Sequence, residues 1–130
     1  MSNQRAGDMT EGLELVHLCS RAEWERSRAE GERRPDGFDP HGAAADRFVH
    51  LSTPEQVHLP ANRLFGGRTD MVMLRLDAAR LGAPVRFEPG VPADPDGMRF
   101  PHLYGPIPVD AVFAVDPYLP GDDGTFPPLR

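Results

Sequence analysis

Hydrophobic positions along this chain come in short runs, several of them alternating, and each run ends at a proline, a glycine or a capping residue. Leu13 to Cys19 reads as a first strand, with Leu13, Leu15, His17 and Cys19 on one face, because successive strand side chains point to opposite sides. Ser20-Arg21-Ala22-Glu23 follows as a capping box, in which a hydroxyl and a glutamate each satisfy the other's backbone N–H at a helix start. The helix carries Trp24 and stops near Gly31. Its other residues are mostly charged, so Trp24 and Ala22 are expected to make its core contact. Glu32 to Asp46 reads as an irregular loop with His41 between Pro40 and Gly42, and a long loop in a small domain is often a lid or binding loop.

A second strand, Arg47 to Ser52, places Phe48, His50 and Ser52 on one face and Val49 and Leu51 on the other. Thr53 suits an N-cap, Pro54 a first helical position and Gln56 the glutamine place of a capping box. A ring nitrogen and a hydroxyl would then sit beside a helix N-terminus, whose partial positive charge suits an anionic or sugar-phosphate ligand. Pro60 removes a hydrogen bond inside that helical stretch, which predicts a kink or restart near Leu59 and an end at Gly66-Gly67. Met71 to Leu76, apolar on both faces apart from Arg75, reads as a central buried strand. Asp77 to Gly82 suits one helical turn, Val85 to Glu88 a short strand and Pro89 to Gly97 a turn-rich connection. Phe100-Pro101-His102-Leu103-Tyr104-Gly105-Pro106 is an aromatic–histidine–aromatic cluster. Ala111 to Val115 is the last buried strand, before a proline-rich tail from Asp116. Helices early and strands late give an α+β class, with a twisted, mainly antiparallel or mixed sheet and two or three short helices.

With 130 residues, the chain has length for one domain, expected over 13–130 behind a flexible lead of 1–12. Hydrophobic residues at 39% and charged residues at 26% fit a globular protein. The formal net charge of −6 argues against a nucleic-acid surface. Arg21, Arg26, Arg28, Arg33 and Arg34 are interleaved with glutamates, as on a solvated helix face. Cys19, the single cysteine, makes no internal disulfide and reads as a small core residue. No apolar segment has signal-peptide or membrane-span length, so no membrane partner and a cytoplasmic location are expected.

His17, His50 and His102 each fall on or beside a strand, flanked by apolar residues and far apart in sequence. Buried rings need partners. Either they converge on one cleft or each is satisfied separately. Glu88, at a strand end before Pro89-Gly90, is placed to orient an imidazole or take a proton. Three histidines and a carboxylate are plausible zinc or iron ligands by type. Only the loosely spaced His50 and His58 resemble a ligand pair, so no metal is expected. No G-x-S-x-G elbow, G-x-G-x-x-G fingerprint or P-loop occurs.

Several of these segments resemble a small bacterial family catalogued as domain of unknown function 952: Leu15-Val16-His17, Phe48-Val49-His50-Leu51-Ser52-Thr53 with Glu55-Gln56-Val57, Ala61-Asn62-Arg63-Leu64-Phe65, Phe87-Glu88 and Phe100 to Pro106. The resemblance runs roughly from Leu13 to Phe126. It implies an ADP-ribosylation-like fold, whose split, twisted sheet holds NAD in a central cleft. It also implies that His17 meets the NAD ribose, that His50 lines the cleft, and that His102 stands near the catalytic glutamate of active transferases. His50-Leu51-Ser52 is similar to a segment of the RNA 2′-phosphotransferases. Leu18-Cys19 stands where transferases carry Gly-Thr or Gly-Ser. An imidazole in place of the glutamate stabilises an oxocarbenium poorly, which turns the expectation from standard ADP-ribosyl transfer toward NAD or nucleotide binding.

The expectation is therefore a histidine-lined cleft for NAD or a related phosphorylated nucleotide. His50, His102 and Glu88 are its catalytic candidates, with His17, Ser52 and Tyr104 as binding residues and chemistry at a ribose or phosphate. The alternatives are a two-histidine phosphoesterase, for which His17-Leu18-Cys19 lacks the second hydroxyl, and a non-catalytic binding module on the same fold.

Overall fold

Ser20 ends a strand and caps a helix. Its hydroxyl accepts from the Glu23 N–H at 3.0 Å while its own N–H donates to Glu23 Oε1 at 2.7 Å, so the expected capping box joins β1 (Glu14–Ser20) to α1 (Arg21–Glu30). The computed structural model describes residues 14–34, 48–90 and 97–129. The N-terminal lead, His41 and most of the loop around it lie outside them. Helix α1 stops at Gly31, whose φ of 90° is the left-handed geometry glycine adopts without Cβ strain. Trp24 is buried as expected, but Ala22 is exposed and Ser27 takes the second inward position. Positions three apart share a helix face, whereas positions two apart do not.

Beyond α1 come β2 (Glu32–Arg33), β3 (Val49–His50), α2 (His58–Phe65), β4 (Met71–Asp77), β5 (Val85–Pro89), β6 (Arg99–Leu103), β7 (Ile107–Pro108) and β8 (Val112–Pro117). Short 3-10 turns lie at Ala78–Arg80 and Val109–Ala111. All pairings are antiparallel, in sheets ordered β1-β4-β8, β2-β7 and β3-β6-β5. The two three-stranded sheets meet at one bridge. Val16 and Ser52 exchange backbone hydrogen bonds of 2.8 and 2.9 Å, which brings the end of the His50 strand against the His17 strand.

Strand β4 is central and buried, as its apolar run predicts. One face packs Val72, Leu74 and Leu76 with Leu15, Cys19, Trp24, Leu103 and Ile107. The other packs Met71 and Met73 with Val16, Val57, Ala61, Tyr118 and Phe126. Strand β8 departs from the expected buried strand. It is a sheet edge with Phe113 64% exposed. The tail is more than an extension, because Phe126 is buried and stacked on Tyr118 at 4.9 Å.

The segment after Ser52 also corrects the sequence reading. Gln56 Oε1 accepts from the Thr53 N–H at 3.1 Å, but residues 54–57 form a turn and α2 begins at His58 without a side-chain cap. Pro60 is the reason. As third residue of α2 it lies in the first turn, where an N–H has no intrahelical acceptor and its absence costs no bond. A start at Pro54 would have buried it in a helix interior. The helix N-terminus expected directly after Ser52 is therefore displaced to His58.

Candidate functional site

The pairing of β3 with β6 sets His50 opposite His102, and their rings meet edge to face with centroids 5.4 Å apart. His102 is 3% exposed and His50 is exposed, so two neighbouring imidazoles occupy contrasting surroundings. Phe48 lies flat on His102 at 4.0 Å and 14°, and touches His50 and Tyr104 with ring centroids at 4.9 and 5.3 Å.

Antiparallel β5 carries Glu88 two positions beyond Arg86, the residue opposite His102. Its Oε1 accepts from the His102 Nδ1–H at 2.8 Å and from the Tyr104 hydroxyl at 2.6 Å. These contacts hold Glu88 below the usual carboxylate range, Tyr104 more than His102. Arg86 lies over the Tyr104 ring at 5.1 Å. An ionised carboxylate only accepts, so the proton of His102 sits on Nδ1. Nε2 is then the ring's acceptor, and it is buried with no hydrogen-bond partner. Buried polar atoms without partners are uncommon and need an explanation.

His17 differs. Its Nδ1 lies 2.7 Å from the His50 carbonyl oxygen, which can only accept, and its Nε2 accepts from Arg33 Nε–H at 3.1 Å. One tautomer is fixed and both nitrogens are used. Burial, aided by the Arg33 charge, pushes its pKa down to about 3, so the ring is neutral at physiological pH. Cys19, on the same strand face, is buried and its thiol is pushed up to about 11 by that burial. That suits a core residue and opposes a nucleophile.

Among the described residues, three cavities with shared lining side chains lie along this surface. The middle one, about 240 Å³, is lined by His50, Leu51, Ser52, Arg63, Phe100 and His102, among others. It shares His50, Ser52, Pro60 and Leu64 with a cavity of about 140 Å³ that also holds His17, Glu23, Arg33 and Arg68. On its other side it shares Pro60, Arg63, Gly90 and Phe100 with an apolar cavity of about 240 Å³ completed by Leu59, Gly97 and Met98.

Of the residues singled out from sequence, His17, His50, Ser52 and His102 line this cleft. Glu88 and Tyr104 are not among its lining residues and support His102 through their hydrogen bonds. Sequence reasoning missed Phe48, although it shares the strand face of His50. It also set Arg33 on a solvated helix face. Arg33 instead lies on β2, with its side chain 13% exposed, because β2 pairs with β7, and no local pattern announces a two-residue strand. Among the described residues, no group of His, Cys, Asp or Glu is arranged to hold a metal, and no helix is long and apolar enough to cross a membrane.

Residues 18–115 match the model of a family described as Protein of unknown function (DUF952). An X-ray structure of protein CC0527 from Caulobacter crescentus is 32% identical, with a TM-score of 0.71 over 88% of this chain and 93% of that one. The solution NMR structure of CC0527 is 31% identical, with a TM-score of 0.68 over 86% and 90% of the two chains. No curated protein matches the chain. What these likenesses carry is an α+β fold of mostly antiparallel sheets, and the match over residues 18–115, most of the chain, makes it a member of the DUF952 family.

Proposed function

We propose that the cleft binds a phosphorylated nucleotide, with NAD the first candidate, and that His102 transfers a proton at its ribose or phosphate. The observation that carries this reading is the buried Nε2 of His102. With Nδ1–H committed to Glu88, the lone pair of this cavity-lining imidazole is left without a donor, and a ligand hydroxyl or an attacking water that reaches it as neighbouring side chains yield is the natural donor. A carboxylate-held imidazole is also the common form of a general base, because the carboxylate fixes the tautomer and stabilises the cation formed on proton uptake. Arg33, Arg63 and Arg68 supply cationic groups for phosphate. The junction of two sheets at Val16 and Ser52 agrees with the split sheet implied by the resemblance to ADP-ribosyltransferases. His17, with both nitrogens engaged, acts here by orienting Arg33 and the His50 backbone. Among the described residues, the carboxylate that lines the cleft, Glu23, is tied to the Ser20 N–H, and Glu88 is turned to His102 and Tyr104. This favours proton transfer at an oxygen over transfer of ADP-ribose.

Titration with NAD while following the histidine ring signals by NMR tests the binding. The His102 and His50 signals are expected to move, and unchanged spectra at millimolar NAD would remove the nucleotide claim.

The His50–His102 pair favours a second reading, a two-histidine phosphoesterase. On a 2′,3′-cyclic nucleotide, His102 Nε2 would take a proton from water as its oxygen bonds to phosphorus. Protonated His50 would give one to the ribose oxygen as the old P–O bond breaks. Turnover of the cyclic nucleotide, abolished in His50→Ala, is the result this reading requires. Binding without turnover in either assay leaves a binding module.

A further inference from the structure

The three joined cavities differ in chemistry, and the difference has a direction. At one end Leu59, Met98 and Phe100 make an apolar chamber with Arg63 at its rim. In the middle stand Ser52 and His102, whose Nε2 is buried and has no hydrogen-bond partner. At the other end are Arg33 and Arg68, with Glu23. Glu23 is tied to the Ser20 N–H, and the Arg33 guanidinium lies 3.9 Å from its carboxylate, within ion-pair reach, so a phosphate there would share Arg33 with Glu23. Arg68 is held by Asp70 through Nε and Nη2, which leaves its Nη1 donors, and the planar fork suits phosphate. None of these chambers alone reaches the roughly 300 Å³ at which small-molecule pockets begin, and each shares lining residues with its neighbour. The unit of recognition is thus the whole cleft. Gly90 lines the two chambers nearest Phe100, and a Cβ there would lie 2.6 Å from the Phe100 ring. Glycine at that position lets the Phe100 ring line both the apolar chamber and the one that holds His102.

Resting on the proposed nucleotide reading, we infer that the cleft takes its ligand in one orientation: the base in the Leu59–Met98–Phe100 chamber, a ribose hydroxyl on His102 Nε2, and the phosphate at Arg33 and Arg68. The ligand class is then a nucleoside phosphate with both ends recognised, and neither a free sugar phosphate nor a free nucleoside binds as well.

The experiment is calorimetric titration of the full chain with AMP, ribose 5-phosphate and adenosine, repeated in Arg68→Gln and Met98→Ser. Both residues are exposed, and circular dichroism checks that each variant keeps the wild-type fold. Arg68→Gln is expected to weaken AMP and ribose 5-phosphate by about tenfold, the usual scale of one charge-assisted hydrogen bond, with adenosine unchanged. Met98→Ser is expected to weaken AMP and adenosine by about fivefold, from lost apolar contact, with ribose 5-phosphate unchanged. The reverse pairing of variant and ligand, or equal effects on all three ligands, overturns the orientation while leaving a nucleotide site. If the wild type binds none of the three, and NAD leaves the histidine signals unmoved, the nucleotide reading falls and this inference with it.

Discussion

Both ring nitrogens of His17 are consumed by protein partners, a carbonyl on one side and a guanidinium N–H on the other, and this fixes its charge as well as its tautomer. A proton added to Nε2 would be buried away from solvent and would also face Arg33, hence a pKa of about 3 against the ordinary 6.5. Between those values the unfolded chain binds a proton that the native ring refuses, so this contribution is complete above pH 6.5 and is lost as pH falls toward 3. Wild-type stability should fall more steeply than that of His17→Gln between pH 6 and 4.5, by up to about 1.4 kcal/mol per pH unit. Urea unfolding at several pH values measures it; parallel curves for the two proteins would contradict it. The variant keeps a donor and an acceptor but has no proton to gain, so carboxylates common to both cancel. Glu88 gives a second residue-scale test. The Tyr104 hydroxyl is the largest cause of its lowered pKa, so Tyr104→Phe should raise the Glu88 pKa, read from the side-chain carboxyl carbon by NMR. The histidines were legible in sequence because each sits among apolar strand residues and must find partners. Which partners they found was not legible, since Arg33 reaches His17 only through a non-local pairing.

At the scale of elements, strongly local signals survived and long-range ones did not. The capping box at Ser20 and Glu23, the glycine stop at Gly31 and the buried run of β4 were all readable, because propensity, capping and burial agree within a few residues. The helix expected at Pro54 was not formed, because Pro60 could be placed at no interior position. The proline-rich tail looked featureless, since its anchoring depends on a partner 64 residues away. Asn62 accepts from the Phe126 N–H at 2.7 Å and donates to the Phe126 carbonyl at 2.9 Å, latching the tail to α2 so that Phe126 can enter the core beside Tyr118. Asn62→Ala should cost about 1–3 kcal/mol, from two hydrogen bonds lost and backbone groups left wanting partners. Phe126→Ala should cost about 3–5 kcal/mol by opening a core cavity. Urea unfolding midpoints for the two variants check both, and a tail that frays without loss of global stability would show that it is an appendage.

The molecule as a whole carries a net charge of −6, yet among the described residues its cleft is lined by Arg33, Arg63 and Arg68 with Glu23 as the one acidic lining residue. These two facts predict opposite responses to salt. If the global charge governed encounter with an anionic nucleotide, screening would relieve repulsion and tighten binding. If the local arginines govern it, screening weakens binding, because fields from exposed charges decay over about 8 Å at physiological ionic strength while phosphate bound in the cleft lies within contact distance of the cations. Local charge is expected to win, since a concave site concentrates the field of its own lining and the acidic residues spread over the rest of the surface are screened first. Raising salt from about 50 to 500 mM should therefore weaken AMP or NAD binding several-fold, with a smaller effect in Arg68→Gln. Binding that tightens with salt, measured by calorimetry at constant pH, would place the ligand outside the arginine end of the cleft.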